Sequence, residues 1–175
     1  KIGDMLQRMR ELAVQASNAT NSAGSAGDIA KLDNEYKQLG AELSRMLDAT
    51  QFNGEKILNT SASYVFQVGA NAGAENQITI ANGDISLSGN AAFSAVASGG
   101  ASATLITGTA SANTANIAAL DAAISAVNDR RASLGALQSR FENTISYLRT
   151  ASENQSAARG RIMDADFAAE TANLS

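Results

Sequence analysis

The longest regular pattern in the chain is ANTANIAALDAAISAVNDRRASLGALQSRFENTISYLRTASENQSA, residues 112–157. Its apolar side chains recur at helical spacing along one seam: Ile117, Leu120, Ile124, Val127, Leu134, Leu137, Phe141, Ile145 and Leu148. No proline interrupts this segment, and a helix of about 46 residues is about 70 Å long. A compact domain of 175 residues has a diameter of only about 40 Å. The segment therefore predicts an elongated rod rather than a globule.

Two more amphipathic helices are predicted at the start of the chain. Residues 1–18 carry apolar side chains at spacings of three and four: Ile2, Met5, Leu6, Met9, Leu12, Ala13 and Ala16. We expect Asp28 to cap a second helix. The apolar residues of that helix lie about 3.5 positions apart, as in a coiled coil: Ile29, Leu32, Tyr36, Leu39, Leu43 and Met46. The prediction is a mainly α rod of three long helices in coiled-coil-like packing.

The segment between the helices differs in composition. The second helix should end at residues 51–54, where Asn53 and Gly54 tolerate a positive φ. Residues 64–68 and 77–80 are predicted to be two short strands that form a β-hairpin. Residues 88–111 are rich in small residues and show no period, which indicates a short variable insertion or loop. These patterns predict three parts of the chain. Residues 1–58 are the N-terminal rod helices, residues 59–111 are the β-hairpin and a short variable segment, and residues 112–175 are the C-terminal rod helix and the start of an inner C-terminal segment.

Composition excludes most catalytic chemistry. The chain contains no His and no Cys, so it has no imidazole base, no thiolate nucleophile and none of the usual zinc ligands. Asp164 and Asp166 lie two positions apart, and on a helix they would point away from each other and could not share a metal ion. We therefore expect no catalytic residues, no metal site, no cofactor and no enzymatic activity.

Charge and hydropathy also limit the possible partners. The net charge is -4, which gives no reason to expect binding to nucleic acid. No run approaches 18 apolar residues, so no membrane span is predicted. Lys1 already lies inside a periodic pattern, and we expect the natural ends, with any export signal, to lie outside this chain. A rod of this kind indicates a structural or assembly protein, and spectrin-like repeats, secretion-needle tip proteins and coiled-coil adaptors would all fit.

Five short sequence motifs reduce the number of protein classes that fit. LQRMRELAVQASN at 6–18, QFNGEKIL at 51–58 and FQVGAN at 66–71 occur in the first half of the chain. LGALQSRF at 134–141 and ARGRIMDADFA at 158–168 occur near its end. Together, in this order, they resemble the conserved N- and C-terminal regions of bacterial flagellin, and the resemblance covers about residues 1–80 and 112–175.

The resemblance implies a function. Flagellins are structural subunits of the extracellular flagellar filament, are secreted through the flagellar export machinery with a chaperone, and have copies of themselves as neighbours. It also implies a surface recognised by the innate receptor Toll-like receptor 5. By position, its contacts would be Gln7, Arg8, Leu12 and Glu35, and flanking candidates would be Arg10, Glu11 and Gln15. From the residues alone, Arg8-Met9-Arg10-Glu11 is an ordinary solvated helix face with an Arg-Glu pair.

A second function remains open from the sequence. The chain could be a flagellin-like cell-surface module that binds a polysaccharide or a host ligand. Tyr64, Phe66 and Phe93 are the aromatic residues available for sugar stacking in the middle segment, which lacks Trp.

Overall fold

The computed structural model describes residues 1–18, 27–97, 110–163 and 171–172. Five α-helices lie in these ranges: α1 (Ile2–Ala16), α2 (Asp28–Ala49), α3 (Asn82–Ile85), α4 (Ala91–Ala97) and α5 (Ala110–Met163). Four short strands accompany them: β1 (Gln51–Phe52), β2 (Glu55–Lys56), β3 (Tyr64–Gln67) and β4 (Gln77–Ile80). A short 3-10 helix, Ala74–Asn76, precedes β4. The protein is mainly helical, as predicted.

The chain divides into two compact units. The first contains Lys1–Val65 and Thr79–Gly135, and the second contains Phe66–Ile78 and Ala136–Ser175. In the first unit a single apolar core joins residues from four helices. From α1 and α2 it buries Leu6, Met9, Leu12, Ala13, Ala16, Ile29, Tyr36, Leu43 and Leu47. From the loop before α4, from α4 and from α5 it buries Leu87, Phe93, Val96, Ala97, Leu120, Ala123 and Ala126.

The predicted apolar faces of the first two helices are confirmed. Every buried residue of α1 belongs to the face identified from its spacing. In α2, Ile29, Tyr36 and Leu43 are buried as expected, but Leu47 rather than Met46 enters the core at the C-terminal end. The expected cap is wrong: Gly27 occupies the N-cap position and Asp28 lies in the first turn. A carboxylate in the first turn still interacts favourably with the positive end of the helix dipole.

Helix α5 is confirmed and is longer than predicted, with 54 residues. Its predicted seam is only partly buried. Leu120 is fully buried, whereas Leu134 and Ile145 are 44% and 52% exposed. A coiled coil that continues along the whole of α5 is therefore not seen among the described residues, and the elongated rod stays a prediction.

The middle segment contains more regular structure than the sequence indicated. Residues 91–97 lie in the segment expected to lack a period, but they form α4, and its Phe93 and Val96 are 0% exposed. Burial of these two apolar side chains gives the short helix its stability, which is a tertiary effect that composition does not reveal. Residues 98–109 of that segment lie outside the described residues. The domain boundaries near 58 and 111 stay predictions.

Two small sheets complete the fold. Strands β3 and β4 pair as expected for a hairpin. Strands β1 and β2 form an additional antiparallel pair in which Phe52 faces Glu55. Between them, Asn53 has a φ of 53° and Gly54 a φ of 86°. Positive φ at both central residues is the requirement of a two-residue type I′ turn, so the prediction for this Asn-Gly pair is confirmed.

Candidate interaction surface

The outward face of α1 carries most of the predicted contact residues. Because α1 turns Leu6, Met9 and Leu12 into the core, the intervening polar side chains lie at the surface. Those exposed residues are Gln7, Arg8, Arg10, Glu11 and Gln15. The structure therefore places five of the seven sequence-predicted residues on the exposed surface of one helix.

Arg8 connects this face to α2. Its Nε and Nη2 atoms each lie 2.8 Å from Oε1 of Glu35, and its Nη1 donates to Oε2 of Glu11 at 3.1 Å. The side chains of Arg8 and Glu35 are 48% and 45% exposed. The hydrogen bond to Glu35, with that to Glu11, raises the pKa of Arg8 above its ordinary value, so the guanidinium stays charged. Two residues identified from separate parts of the sequence are thus brought into direct contact.

Arg10 makes a second cross-helix ion pair, on the other side of α1. Its Nε lies 2.6 Å from Oδ1 of Asp121 on α5. This hydrogen bond raises the pKa of Arg10. Sequence reasoning missed Asp121, which is 111 positions away from Arg10, and no local spacing connects the two residues. Arg8 and Arg10 therefore link α1 to α2 and to α5.

Leu12 differs from the other predicted contacts. Its side chain is 0% exposed and belongs to the core formed by α1, α2, α4 and α5. A buried side chain cannot touch a partner while the helices remain packed, so the position of Leu12 contradicts its role as a direct contact. The sequence signal was ambiguous, because Leu12 also lies on the apolar face that predicted the helix.

The surface is polar and contributes little to stability. Ion pairs between exposed side chains are weak, because solvent and salt screen the two charges. What the arrangement provides is a fixed pattern of charge: Arg8 lies between two carboxylates, and Arg10 lies beside a third. A guanidinium has five N–H donors, so a binding partner can accept hydrogen bonds from those that do not point at these carboxylates.

The three aromatic residues proposed for sugar stacking lie in different surroundings. Phe93 is fully buried in the core of the first unit, and the Tyr64 hydroxyl donates to the carbonyl of Lys56 at 3.2 Å. Phe66 lies in the second unit, where its ring meets Phe141 edge to face at a centroid distance of 5.6 Å. Phe93 is therefore removed from the set available to a carbohydrate.

Other kinds of site are not found in the part of the chain that the structure describes. Within it, no three His, Cys, Asp or Glu side chains come together as a metal ion would require. None of its helices combines the length and the apolar character needed to cross a membrane.

Comparison with known families matches both ends of the chain. Residues 1–63 match the bacterial flagellin N-terminal helical region, and residues 117–175 match the bacterial flagellin C-terminal helical region. The first match contains Arg8 and Glu35, and the second contains Asp121.

Individual relatives agree with this assignment. The flagellin of Halalkalibacterium halodurans is 43% identical over 171 residues, which are 97% of this chain and 58% of that protein. The flagellar filament 33 kDa core protein of Treponema phagedenis is 38% identical over 178 residues, with coverage of 95% and 59%. The crystal structure of Bacillus cereus flagellin superposes with a TM-score of 0.62 at 29% identity, covering 90% of this chain and 83% of that one. The chain thus spans about three fifths of the length of the Halalkalibacterium halodurans and Treponema phagedenis proteins. It belongs to the bacterial flagellin family.

Proposed function

We propose that this chain is part of a structural subunit of the bacterial flagellar filament, with no catalytic role. The observation that carries the proposal is the joint core of the first unit. Leu6 and Tyr36 belong to the family region matched at the N-terminus, and Leu120 belongs to the region matched at the C-terminus. All three side chains are members of the same buried cluster. The N-terminal family region and the first part of the C-terminal one, up to Gly135, therefore share one core in the first unit.

The proposal includes the partners and the location of such a subunit. Its neighbours are copies of itself, and it reaches the outside of the cell through the flagellar export machinery with a chaperone. In this arrangement residues 1–58 supply the N-terminal rod helices, and residues 59–111 supply the β-hairpin and a short variable segment. Residues 112–175 supply the C-terminal rod helix and the start of the inner C-terminal segment.

The test is complementation in a bacterium whose flagellin gene is deleted. The full-length protein that contains this chain is expected to restore filaments in electron micrographs and swimming in soft agar. A Leu120→Asp variant should fail, because it places a charge at a position that is 0% exposed in the core. Export of the folded wild-type protein without filament formation would overturn the proposal.

The proposal extends to recognition by Toll-like receptor 5. Its contact surface contains Gln7, Arg8 and Glu35, with Arg10, Glu11 and Gln15 as flanking residues. Arg8 supports this choice, because a planar guanidinium with several donors is a frequent anchor in protein interfaces. The buried side chain of Leu12 holds α1 against the core and so keeps the exposed residues of α1 in position.

A reporter assay in cells that express the receptor tests this part. Arg8→Ala and Glu35→Ala should each lower the potency of the full-length protein by about 5-fold or more, as loss of an interface anchor does. Arg45→Ala is the matched control, because Arg45 also forms an exposed ion pair on α2, 2.6 Å from Glu42. Equal potency of the Arg8, Glu35 and Arg45 variants would contradict the proposed contacts and would leave the filament proposal standing.

A further inference from the structure

The dipeptide Asn-Gly occurs twice in the chain, at Asn53-Gly54 and at Asn82-Gly83. Asparagine before glycine is chemically labile, because the glycine nitrogen can attack the asparagine side chain without hindrance from a Cβ atom. Sequence alone assigns the two pairs the same lability. The structure separates them, because they have different backbone conformations and different hydrogen bonds.

Asn53 and Gly54 lie at an exposed turn. Both residues are exposed, and a Cβ atom added to Gly54 would meet nothing within 4 Å. They lie beyond Phe52 and Glu55, the last residue pair of the β1–β2 ladder, and that ladder has only two pairs. An isolated two-stranded ribbon is marginally stable, so the turn opens at small cost.

Asn82 and Gly83 are held in the first turn of α3. The backbone N–H of Asn82 donates to Oγ of Ser63 at 3.3 Å, and its carbonyl accepts from Ser86 N at 2.9 Å. The side-chain oxygen of Asn82 is buried. The helix is in turn fixed to the first unit, since Leu87 N donates to the carbonyl of Leu58 at 2.9 Å and Arg130 Nε donates to that of Ser86 at 3.0 Å.

We propose that Asn53 is a site of spontaneous deamidation and isoaspartate formation in the folded protein, and that Asn82 is protected. The deprotonated backbone nitrogen of Gly54 attacks Cγ of Asn53, a C–N bond forms, and the side-chain nitrogen leaves as ammonia. Water then opens the resulting succinimide at either carbonyl, which yields aspartate or isoaspartate. Ring closure requires rotation about the Cα–C bond of the asparagine, which the β1–β2 turn allows and α3 resists.

Isoaspartate at position 53 changes the turn that carries it. The backbone then passes through the former side chain and is longer by one carbon, whereas a type I′ hairpin requires a loop of two ordinary residues. The β1–β2 pairing is lost as a result. The same ribbon holds Lys56, whose Nζ lies 3.6 Å from Asp48 at the end of α2 and whose carbonyl accepts from Tyr64. The modification therefore loosens the connection from α2 to β3.

The test is peptide mass spectrometry of the purified chain after incubation in mildly alkaline buffer, with isoaspartate detected by enzymatic methylation. We expect Asn53 to convert at least roughly tenfold faster than Asn82. This ratio corresponds to about 1.4 kcal/mol of additional free energy for local opening at Asn82. The rate should rise with hydroxide concentration, because the attacking nitrogen must lose its proton.

Incubation in concentrated urea provides the matched control. Without the fold, the two pairs should convert at similar rates, because they then differ only in their flanking residues, Phe52 and Glu55 at one pair and Ala81 and Asp84 at the other. An Asn53→Gly variant, which keeps a residue suited to positive φ, should lose the signal at this turn and keep the ribbon. Equal rates at the two sites in the folded protein would overturn the proposal. A rate ratio that persisted in urea would also overturn it, since neighbouring sequence rather than conformation would then be the cause.

Discussion

At the scale of single residues, Tyr36 is the largest side chain that the described part of the chain buries completely. Its hydroxyl has no hydrogen-bond partner among the described residues, although burial of such a group is normally costly. Burial, and secondarily the charge of Asp33, raise the pKa of Tyr36 to about 12. Tyr36 therefore combines a stabilising ring with a destabilising hydroxyl.

Replacing Tyr36 by Phe should separate these effects. At neutral pH the free energy of unfolding should stay the same or rise by about 1 kcal/mol, because the unpaired hydroxyl is removed and the ring remains. Because the pKa of Tyr36 is raised in the folded protein, the unfolded chain loses this proton first. The wild type then loses up to about 1.4 kcal/mol of stability per pH unit from about pH 10 to about pH 12.

Urea denaturation followed by circular dichroism at neutral and alkaline pH measures both effects. The Phe variant should lose less stability than the wild type above about pH 10, the usual tyrosine pKa. Tyr147→Phe is the control, because Tyr147 is 71% exposed and should change neither value. A Phe variant with the same alkaline loss as the wild type would show that Tyr36 does not titrate as described.

At the scale of elements, α2 and α4 approach closely at Gly40. A Cβ atom at this position would lie 3.2 Å from the carbonyl oxygen of Val96 and 3.7 Å from Cε of Met9. Gly135 is also a glycine within a helix, α5, but a Cβ atom added there would meet nothing within 4 Å. Both positions lie in the first unit, so the pair compares helix propensity with and without a packing restraint.

Substitution of each glycine by Ala should give different results. Gly135→Ala should stabilise the protein by about 0.5 to 1 kcal/mol, the usual advantage of Ala over Gly within a helix. Gly40→Ala should be less favourable than Gly135→Ala by about 1 kcal/mol or more, because the Val96 carbonyl must move to admit the methyl group. Thermal denaturation of the two variants measures the difference. Equal stabilisation would mean that α4 does not restrict α2 at this point.

At the scale of the whole molecule, burial is distributed unevenly along α5. In the first unit, Leu120, Ala123 and Ala126 of this helix enter the core. In the second unit, no described residue of 136–163 is buried, and the partly buried residues include Leu137, Phe141 and Leu148. Few buried apolar contacts mean a low free energy of local opening.

Hydrogen exchange of the isolated chain should therefore vary along this one helix. Backbone amides of residues 114–127 should exchange more slowly than those of residues 145–163, because exchange in the second group needs no disruption of a buried core. Mass spectrometry of peptic peptides measures both groups in the same sample, and the peptides of α1 serve as a reference for core protection. Equal protection along α5 would contradict the expectation.

Much of the fold was predictable because it follows from local pattern. The spacing of Leu6, Met9 and Leu12 predicted the buried face of α1, and Asn53-Gly54 predicted a turn with positive φ. Helix α4 was not predictable, since seven residues with little period form a helix only when Phe93 and Val96 find a core to enter. The candidate surface was predictable in part: the resemblance identified Arg8 and Glu35, but no local pattern could relate Arg10 to Asp121.

By itself, the sequence determined helices α1, α2 and α5, the family and the absence of His and Cys chemistry, because these depend on residue type and short-range spacing. Only the tertiary structure decided which members of one helix face are available to a partner. Leu12 and Arg8 are four positions apart on α1, yet Leu12 is enclosed by the core and Arg8 lies between Glu11 and Glu35. The physical reason is that burial is set by the neighbours that long-range packing supplies, and these come from α2, α4 and α5.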